Sequence, residues 1–412
     1  MRAMSELELF TAALNLTNPW RVVNSRFQPA DRRLDLYLDF DRGARFGCPT
    51  CGAKCPVHDT VEKEWRHLNF FQYQAYLHAR LPRISCEKDG VLQIDPPCAR
   101  AGSGFTLLFE AFVLTLAKDM PVLAIAELVG EHDTRIWRII QRNVDAARKK
   151  LDMSNVTKVG FDETSSRRGH DYISIFVDMD EKRVLFATPG KDSDVVQAFA
   201  KDLLEHGGDP LKINQASIDM SAAFIKGTAE HLPNAAITFD KFHVTKLISE
   251  AIQATRRKEQ KESPDHYELL KQSRFSLLKN EVNRDPEDEE KLKKIRLSKL
   301  NLKTAKAWRM KESFRDAYNL AGDLGERALK SWCQWAKRSG IEAMAGAAET
   351  IRKNWNGVVQ YFHSRLTNAI LESVNGRIQA ARAKARGYRN KAYMACILYL
   401  IAGKLDLPST HS

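Results

Sequence analysis

No part of this 412-residue chain stays apolar over the roughly 20 residues that a membrane-spanning helix requires. The segments around Phe105–Leu116 and Ala395–Leu400 are too short or too interrupted. The N-terminus lacks the basic-then-apolar pattern of a secretory signal, so a cytoplasmic location is expected. There is no internal repeat and no low-complexity tail, which sets aside solenoids and disordered tracts. Cysteine is scarce outside one region. Five of the seven, Cys48, Cys51, Cys55, Cys86 and Cys98, lie close together, leaving Cys333 and Cys396 elsewhere. In a reducing compartment such clustering reads as metal ligation before disulfides. Acidic residues are in the minority: 52 Asp plus Glu stand against 64 Lys plus Arg, a net charge of +12. That balance favours a polyanionic partner, because each neutralised phosphate releases counterions. Charge alone does not separate a nucleic-acid partner from an ordinary basic enzyme.

The length suits about two to four domains. Up to about residue 100 there are strand-like stretches, such as Leu34–Phe40 and Gln72–Arg80, around the cysteines. Phe105–Leu151 reads as helical throughout. From Lys158 the period changes. Lys158–Asp162, Tyr172–Asp178 and Arg183–Ala187 read as three strands, and Asp194–Glu205 as an amphipathic helix ending before Gly207 and Gly208. Ile213–Asp219 is a fourth strand, Ala222–His231 a helix and Ala236–Asp240 a fifth strand. This order is that of an RNase H-like fold. From Ile252 to Trp355 there is no convincing strand, and the stretch reads as a helical insertion. Leu366–Leu400 reads as one or two further helices.

Cys48-Pro-Thr-Cys51-Gly52 has the form of a zinc knuckle: two thiolates on a tight turn that a glycine eases. Cys86-Glu-Lys-Asp89-Gly90 repeats the spacing, with Asp89 where Cys or His is usual. A structural Cys3Asp site follows, with Cys55, His58 and Cys98 as alternative fourth ligands. Pro121–Val144 has the pattern of a helix-turn-helix. Ala126 is small, Gly130 takes the left-handed turn, and Ile136 and Ile139 seat the second helix. Asp133 or Thr134 is expected to cap that helix. Arg135, Arg138, Gln141 and Arg142 are expected to face outward, with chemistry suited to phosphates and base edges.

Two-metal phosphoryl transfer needs carboxylates that converge from different elements. Asp162 ends the first strand of the second half and Asp219 the fourth, and these two strands are neighbours in an RNase H arrangement. Burying a strand end that bears an acid is costly unless a cation or donors meet it. The third acid must come from a late helix. Asn368, Glu372 and Asn375 lie at i, i+4 and i+7, one polar face of such a helix. Behind them Arg377, Arg382, Lys384, Arg386, Arg389 and Lys391 follow without an acid, a track for phosphates. Glu163, Asp178 and Asp180 compete, with Asp178-Met-Asp180 read as a turn. Asp240 either caps the next helix or approaches the site, and His243 either contacts the scissile phosphate or packs.

Taken together, these motifs resemble a bacterial insertion-sequence transposase of the ISL-three family. The resemblance runs through the Cys48/Cys51/Cys86 ribbon, the helix-turn-helix, Gly160-Phe-Asp162-Glu163, Asp219-Met-Ser221, Phe239-Asp-Lys-Phe-His243-Val244, Asn368-Ala-Ile-Leu-Glu372-Ser-Val-Asn375 and Ala385-Arg-Gly-Tyr-Arg389. It departs from the family at Asp89. It implies a multidomain α+β chain: a zinc ribbon at 1–104, a helix-turn-helix at 105–152, and a DDE catalytic domain at 157–251 and 356–405 around a helical insertion at 252–355. It further implies recognition of terminal inverted repeats. The expected triad is Asp162, Asp219 and Glu372 holding two Mg2+ (or Mn2+), beside a structural Zn2+. The expected partners are end and target DNA, and a dimer or larger synapse, with the protein on the nucleoid when bound. Two rivals stand beside this: a DNA-binding regulator that does not cut, and an RNase H-like nuclease without strand transfer.

Overall fold

The computed structural model describes residues 4–166, 171–279, 281–297 and 302–410. The chain divides into two compact units, one of residues 1–150 with 380–412, the other of residues 151–379.

The first unit opens with α1 (Glu6–Ala13) and the strands β1 (Trp20–Gln28), β2 (Arg33–Phe40), β3 (Arg45–Gly47), β4 (Lys54–Arg66), β5 (Gln74–Cys86) and β6 (Gly90–Gln93). They form one sheet in the order β1-β2-β5-β4-β3, with β6 added to β5. Leu34, Leu36 and Leu38 of β2 and Ala75, Leu77 and Ala79 of β5 alternate onto the buried face. The stretch expected to be helical throughout is three helices: α2 (Leu107–Ala117), α3 (Val122–Val129) and α4 (Asp133–Arg148).

The second unit begins with β7 (Lys158–Ser165), β8 (Tyr172–Asp178) and β9 (Arg183–Pro189), then α5 (Asp194–Glu205), β10 (Gln215–Ile218), α6 (Ala222–His231) and β11 (Ala236–Phe239). The sheet order is β11-β10-β7-β8-β9. β7, β8 and β9 run antiparallel, whereas β10 and β11 run parallel to β7, so the first and fourth strands are neighbours as expected. Asp178 accepts the Asp180 and Glu181 N–H groups, both at 3.0 Å, and makes the turn read from the sequence.

Helices follow: α7 (Lys241–Glu262), α8 (Tyr267–Gln272), α9 (Pro286–Leu297), α10 (Lys303–Asn319), α11 (Gly322–Lys337), α12 (Glu342–Lys353), α13 (Trp355–Ser364) and α14 (Ala369–Lys384). α7 starts directly after β11 and continues past residue 252, because Val244, Ile248, Ala251 and Ile252 bury one continuous stripe. One apolar core runs from Phe161, Phe176 and Ile218 of the sheet to Met310, Trp332 and Ile351 of these helices. Gly160 decides how closely α14 can lie on β7. A Cβ there would sit 3.0 Å from Leu371 Cδ1 and closer still to the Met179 sulfur. The chain ends in α15 (Lys391–Ala402), in the first unit.

Candidate active site and metal centres

The β3–β4 turn carries Cys48 and Cys51, and the β5–β6 turn carries Cys86 and Asp89. Gly52 and Gly90 follow each knuckle at φ +76° and +77°, where a side chain would be strained. The ligand atoms of Cys48, Cys51, Cys86 and Asp89 lie within 4.8 Å of one another. Asp89 Oδ2 is 3.2 Å from Cys48 Sγ and 3.3 Å from Cys86 Sγ, and the Cys51 and Cys86 sulfurs are 3.6 Å apart. A tetrahedron with Zn–S bonds of about 2.3 Å has edges near 3.7 Å, shorter where an oxygen replaces sulfur. The four groups therefore fit a zinc ion. Hydrogen bonds from the Cys51, Cys48 and Cys86 thiols hold the Asp89 carboxyl below its usual range. The alternative ligands lie outside this group of four, Cys55 beside Cys86 at its edge. Cys55 Sγ meets the Ala53 carbonyl at 3.3 Å, His58 pairs with Asp59, and burial pushes the Cys98 thiol up to about 11.

The helix pair α3–α4 turns at Gly130, whose φ is +71° and whose N–H bonds to the Ala126 carbonyl. A Cβ at Gly130 would also collide with the Gln74 amide. Ile136 and Ile139 are buried, as their positions demand. The cap of α4 is not Asp133 or Thr134 but His132, whose Nδ1 accepts the Thr134 N–H at 3.3 Å. The helix starts at Asp133, so both candidates lie within its first turn, and the His132 imidazole supplies the acceptor.

In the second unit three acids line up at one end of the parallel strands. Ser217 pairs with Gly160, and Ile218 with Phe239. Two more steps along β7 and one along β10 and β11 bring Asp162, Asp219 and Asp240 side by side. Asp162 accepts the Glu163 N–H at 2.8 Å on one oxygen and the Asn375 amide at 3.1 Å on the other. Asp219 accepts the Ser221 N–H at 2.9 Å. Asp240 is 3% exposed and makes no side-chain cap bond to α7. It accepts the Asn368 N–H at 3.2 Å and lies 3.2 Å from His243 Nδ1. Asp240 thus stands at the N-cap position of α7 with its carboxylate turned to Asn368 and His243 rather than to the helix N–H groups.

α14 is pinned across the same strand ends by amides. Asn368 Oδ1 accepts the Ser217 hydroxyl at 2.5 Å, and Gln379 donates to Thr164 Oγ1 at 2.7 Å and to the Ser165 carbonyl at 3.0 Å. Asn368, Asn375 and Gln379 share one helix face, and Glu372 lies on it one turn from each asparagine. Glu372 itself is exposed. Gln379 and Ser217 were not singled out in the sequence. Gln379 at i+11 extends the 368–372–375 stripe and was legible there, whereas Ser217, inside an apolar strand, gave no signal.

Among the described residues, burial and neighbouring charges set the electrostatics of the site. Burial raises the Asp162 carboxyl above its usual range, and the Asp219 and Asp240 charges add to it. Burial raises Glu163 likewise, with Asp219 and Asp162 adding. The hydrogen bond to Asp240, with the Asp240, Asp162 and Asp219 charges, raises His243 and favours its cation. Among the described residues, three or more ligand atoms fall within 4.8 Å only in the cysteine site, in Asp35–Glu64–His78 and in Asp323–Glu326–His363. Asp162, Asp219 and Glu372 are spread wider. Two cations about 4 Å apart, each about 2.1 Å from its oxygens, span ligands up to roughly 8 Å apart. The carboxylates of these three residues are the hard oxygen donors that divalent cations prefer.

Three family models cover the chain: a zinc finger of insertion-sequence transposases at 44–89, the helix-turn-helix domain of transposase family ISL3 at 94–144, and the ISL3 transposase domain at 159–398. The chain belongs to the ISL3 transposase family. The transposase of insertion sequence IS1557 from Mycobacterium tuberculosis is 26% identical over 404 residues, covering 89% of this chain and 88% of the relative. That of IS1001 from Bordetella parapertussis is 26% identical over 371 residues, covering 88% and 90%. The order of zinc ribbon, helix-turn-helix and transposase domain is the one expected. No described helix is long and apolar enough to cross a membrane.

Along α4 of this ISL3 transposase the structure separates the four candidates. Arg135 and Arg138 are exposed, and Gln141 is half-buried. Arg135 pairs with Glu131 and lies over the Phe105 ring at 4.4 Å. Arg142, expected outward, instead turns to Glu110, which is 0% exposed. Arg100 at 2.7 Å, Ser103 at 2.7 Å and Asn143 at 3.1 Å complete the shell of that acid. A fully buried carboxylate demands this pairing, and the demand outweighs outward display. In the late basic run, Arg377, Lys384, Arg386 and Arg389 are exposed and Arg382 is half-buried. Lys384 Nζ donates to the Asp119 carbonyl at 3.2 Å. Tyr393 stacks on Trp137 of α4 at 3.9 Å, and Tyr388 meets the same ring edge-on at 6.4 Å. Arg386 and Arg389 therefore flank α4, next to the helix-turn-helix. Two substitutions should behave oppositely. Arg142→Ala should destabilise the first unit by about 1–3 kcal/mol, since it strips a donor from a buried acceptor. Arg138→Ala should leave stability within about 0.5 kcal/mol and weaken DNA binding. Thermal unfolding and a DNA-binding titration on the same two proteins check this; equal melting points for both would overturn the assignment of Arg142.

Proposed function

We propose that this chain binds the terminal inverted repeats of an insertion sequence and catalyses divalent-metal-dependent strand cleavage and strand transfer in an RNase H-like DDE domain. The observation that carries the reading is the row of Asp162, Asp219 and Asp240 across three adjacent parallel strands, with α14 pinned over it. The strand order, three antiparallel strands extended by two parallel ones, supports the RNase H-like assignment. So does the insertion of helices between β11 and α14.

Asp162, Asp219 and Glu372 would hold two Mg2+ ions. When bound, these supply an activated attacking oxygen and stabilise the leaving one. Asn375 fixes one oxygen of Asp162, and Asn368 ties the start of α14 to β10 and to Asp240. Together they set where Glu372 stands along the strand ends. With Nδ1 committed to Asp240, His243 offers Nε2 to a phosphate oxygen, and its preference for the cation suits that partner. Water attacks a phosphodiester at the element's end and leaves a free 3′-hydroxyl. That hydroxyl attacks a phosphodiester of the target, displacing a second 3′-oxygen and joining the strands. No protein nucleophile is required. Arg138 and Arg135 face the DNA from α4, and Arg377, Arg382, Arg386 and Arg389 hold its backbone. Joining two ends requires a dimer or larger assembly.

Incubating the protein and Mg2+ with an end-sequence duplex and a target plasmid tests the whole reading. Joined products are expected, and cleavage without joining would reduce the chain to a nuclease. Asn375→Leu tests the amide pins. It should lower the cleavage rate about 10- to 100-fold, the scale for a group that orients a metal ligand, and raise the Mg2+ concentration needed for half-maximal rate. End binding should stay unchanged. A variant with lowered melting temperature but an unaltered Mg2+ requirement would make Asn375 merely structural.

A further inference from the structure

The first turn of α7 carries an aromatic ring that the core does not use. The helix buries Val244, Ile248, Ala251 and Ile252 at helical spacing, and Phe242 stands off that stripe. Phe242 is 57% exposed, so the fold gains little from its apolar area. Its ring lies 5.8 Å from the His243 ring at an interplanar angle of 85°. His243 in turn is tied to Asp240, in the acid row. A flat apolar surface thus stands one residue from the group that meets the phosphate.

We propose that Phe242 is a stacking platform for an unpaired nucleobase beside the scissile phosphate, a reading that rests on the active-site assignment above. The occupant of this rim is a polynucleotide, and the part of it that matches an exposed aromatic ring is a base face. Such stacking is tolerant of sequence, because every base offers a π-face. A base inside an intact duplex has both faces covered by its neighbours, so the base on Phe242 has left the stack. The two rings are close enough to engage neighbouring parts of one strand, so the base is placed beside the phosphate at His243.

The test uses the full chain, Mg2+ and two end-sequence duplexes, one fully paired and one mismatched at the first and second positions beside the cleavage site. Phe242→Ala and Phe242→Leu should both slow cleavage of the paired duplex by about 5- to 150-fold, the range that one base–aromatic stack carries. Phe242→Trp should stay within about threefold of the parent, because the π-face is kept. The defect of the Ala and Leu variants should shrink on the mismatched duplex, where the base leaves the stack at less cost. Because Phe242 is exposed, all three should melt with the parent. Parent-like cleavage by Phe242→Leu overturns the proposal, and so does an equal defect on both duplexes. Asp219→Ala runs alongside. If it still cleaves, the active-site reading has failed; if it is inert, the Phe242 results judge the stacking site alone.

Discussion

Asp219→Ala should abolish Mg2+-dependent cleavage, by at least about 10³-fold, while leaving binding to the element's end intact. The size follows from what the carboxylate is there to hold. A cation on the reacting phosphate contributes several kcal/mol of transition-state stabilisation, and each 1.36 kcal/mol is a factor of ten. The separation of the two effects follows from the fold. Asp219 lies past the end of β10 in the second unit, whereas α3 and α4 belong to the first. Its structural duty is small, a single bond to the Ser221 N–H at 2.9 Å, which any turn residue can do without at modest cost. Asp240→Asn makes the contrast. Asp240 is buried against Asn368 and His243, so its loss should disturb α14 and the imidazole together and cost activity and stability at once. Cleavage rates at saturating Mg2+, with end binding by mobility shift, read out both variants. Cleavage by Asp219→Ala within tenfold of the parent would falsify the triad.

The strand order of the second unit was readable because each strand carries its own apolar run and each helix its own period. Asp194–Glu205 and Ala222–His231 match the observed helices residue for residue. Asp219 and Asp240 were readable as acids closing apolar runs, whereas Asp162, expected to end its strand, lies inside β7, which continues to Ser165 against β8. What depended on tertiary pairing was not readable. Arg142 has the chemistry of a DNA contact, and nothing local reveals that Glu110, thirty-two residues earlier, is fully buried and draws it inward. Asp240 could equally have capped α7. Only the neighbouring strand and the Asn368 N–H decide that its carboxylate turns elsewhere. The late basic run looked like one track behind Glu372. Tyr388 and Tyr393, packed on Trp137, bring its distal part to the helix-turn-helix instead.

The zinc site gives the other large effect. The chain should carry one Zn2+, and Cys86→Ser should release it and weaken end binding by the first unit. Structural zinc contributes about 10–16 kcal/mol in fingers that have no other core. Here the sheet buries Trp20, Leu36, Leu77 and Ile84 independently of the knuckles, so the loss should be smaller and local. The strands should persist while the β3–β4 and β5–β6 turns lose their order. Asp89 sharpens the test. With three thiolates and one carboxylate the bound site has a net charge of −2, the same as four thiolates would give. Asp89→Cys therefore keeps the charge while replacing a hard ligand by a soft one, and should bind zinc more tightly. Asp89→Ala removes a ligand and should weaken binding, with protection of the three thiols against alkylation reduced in step. Zinc content by mass spectrometry, thiol alkylation rates and end binding on the same preparations decide the matter. Tight zinc binding by Asp89→Ala would return the fourth position to Cys55, the remaining buried thiol beside the cluster.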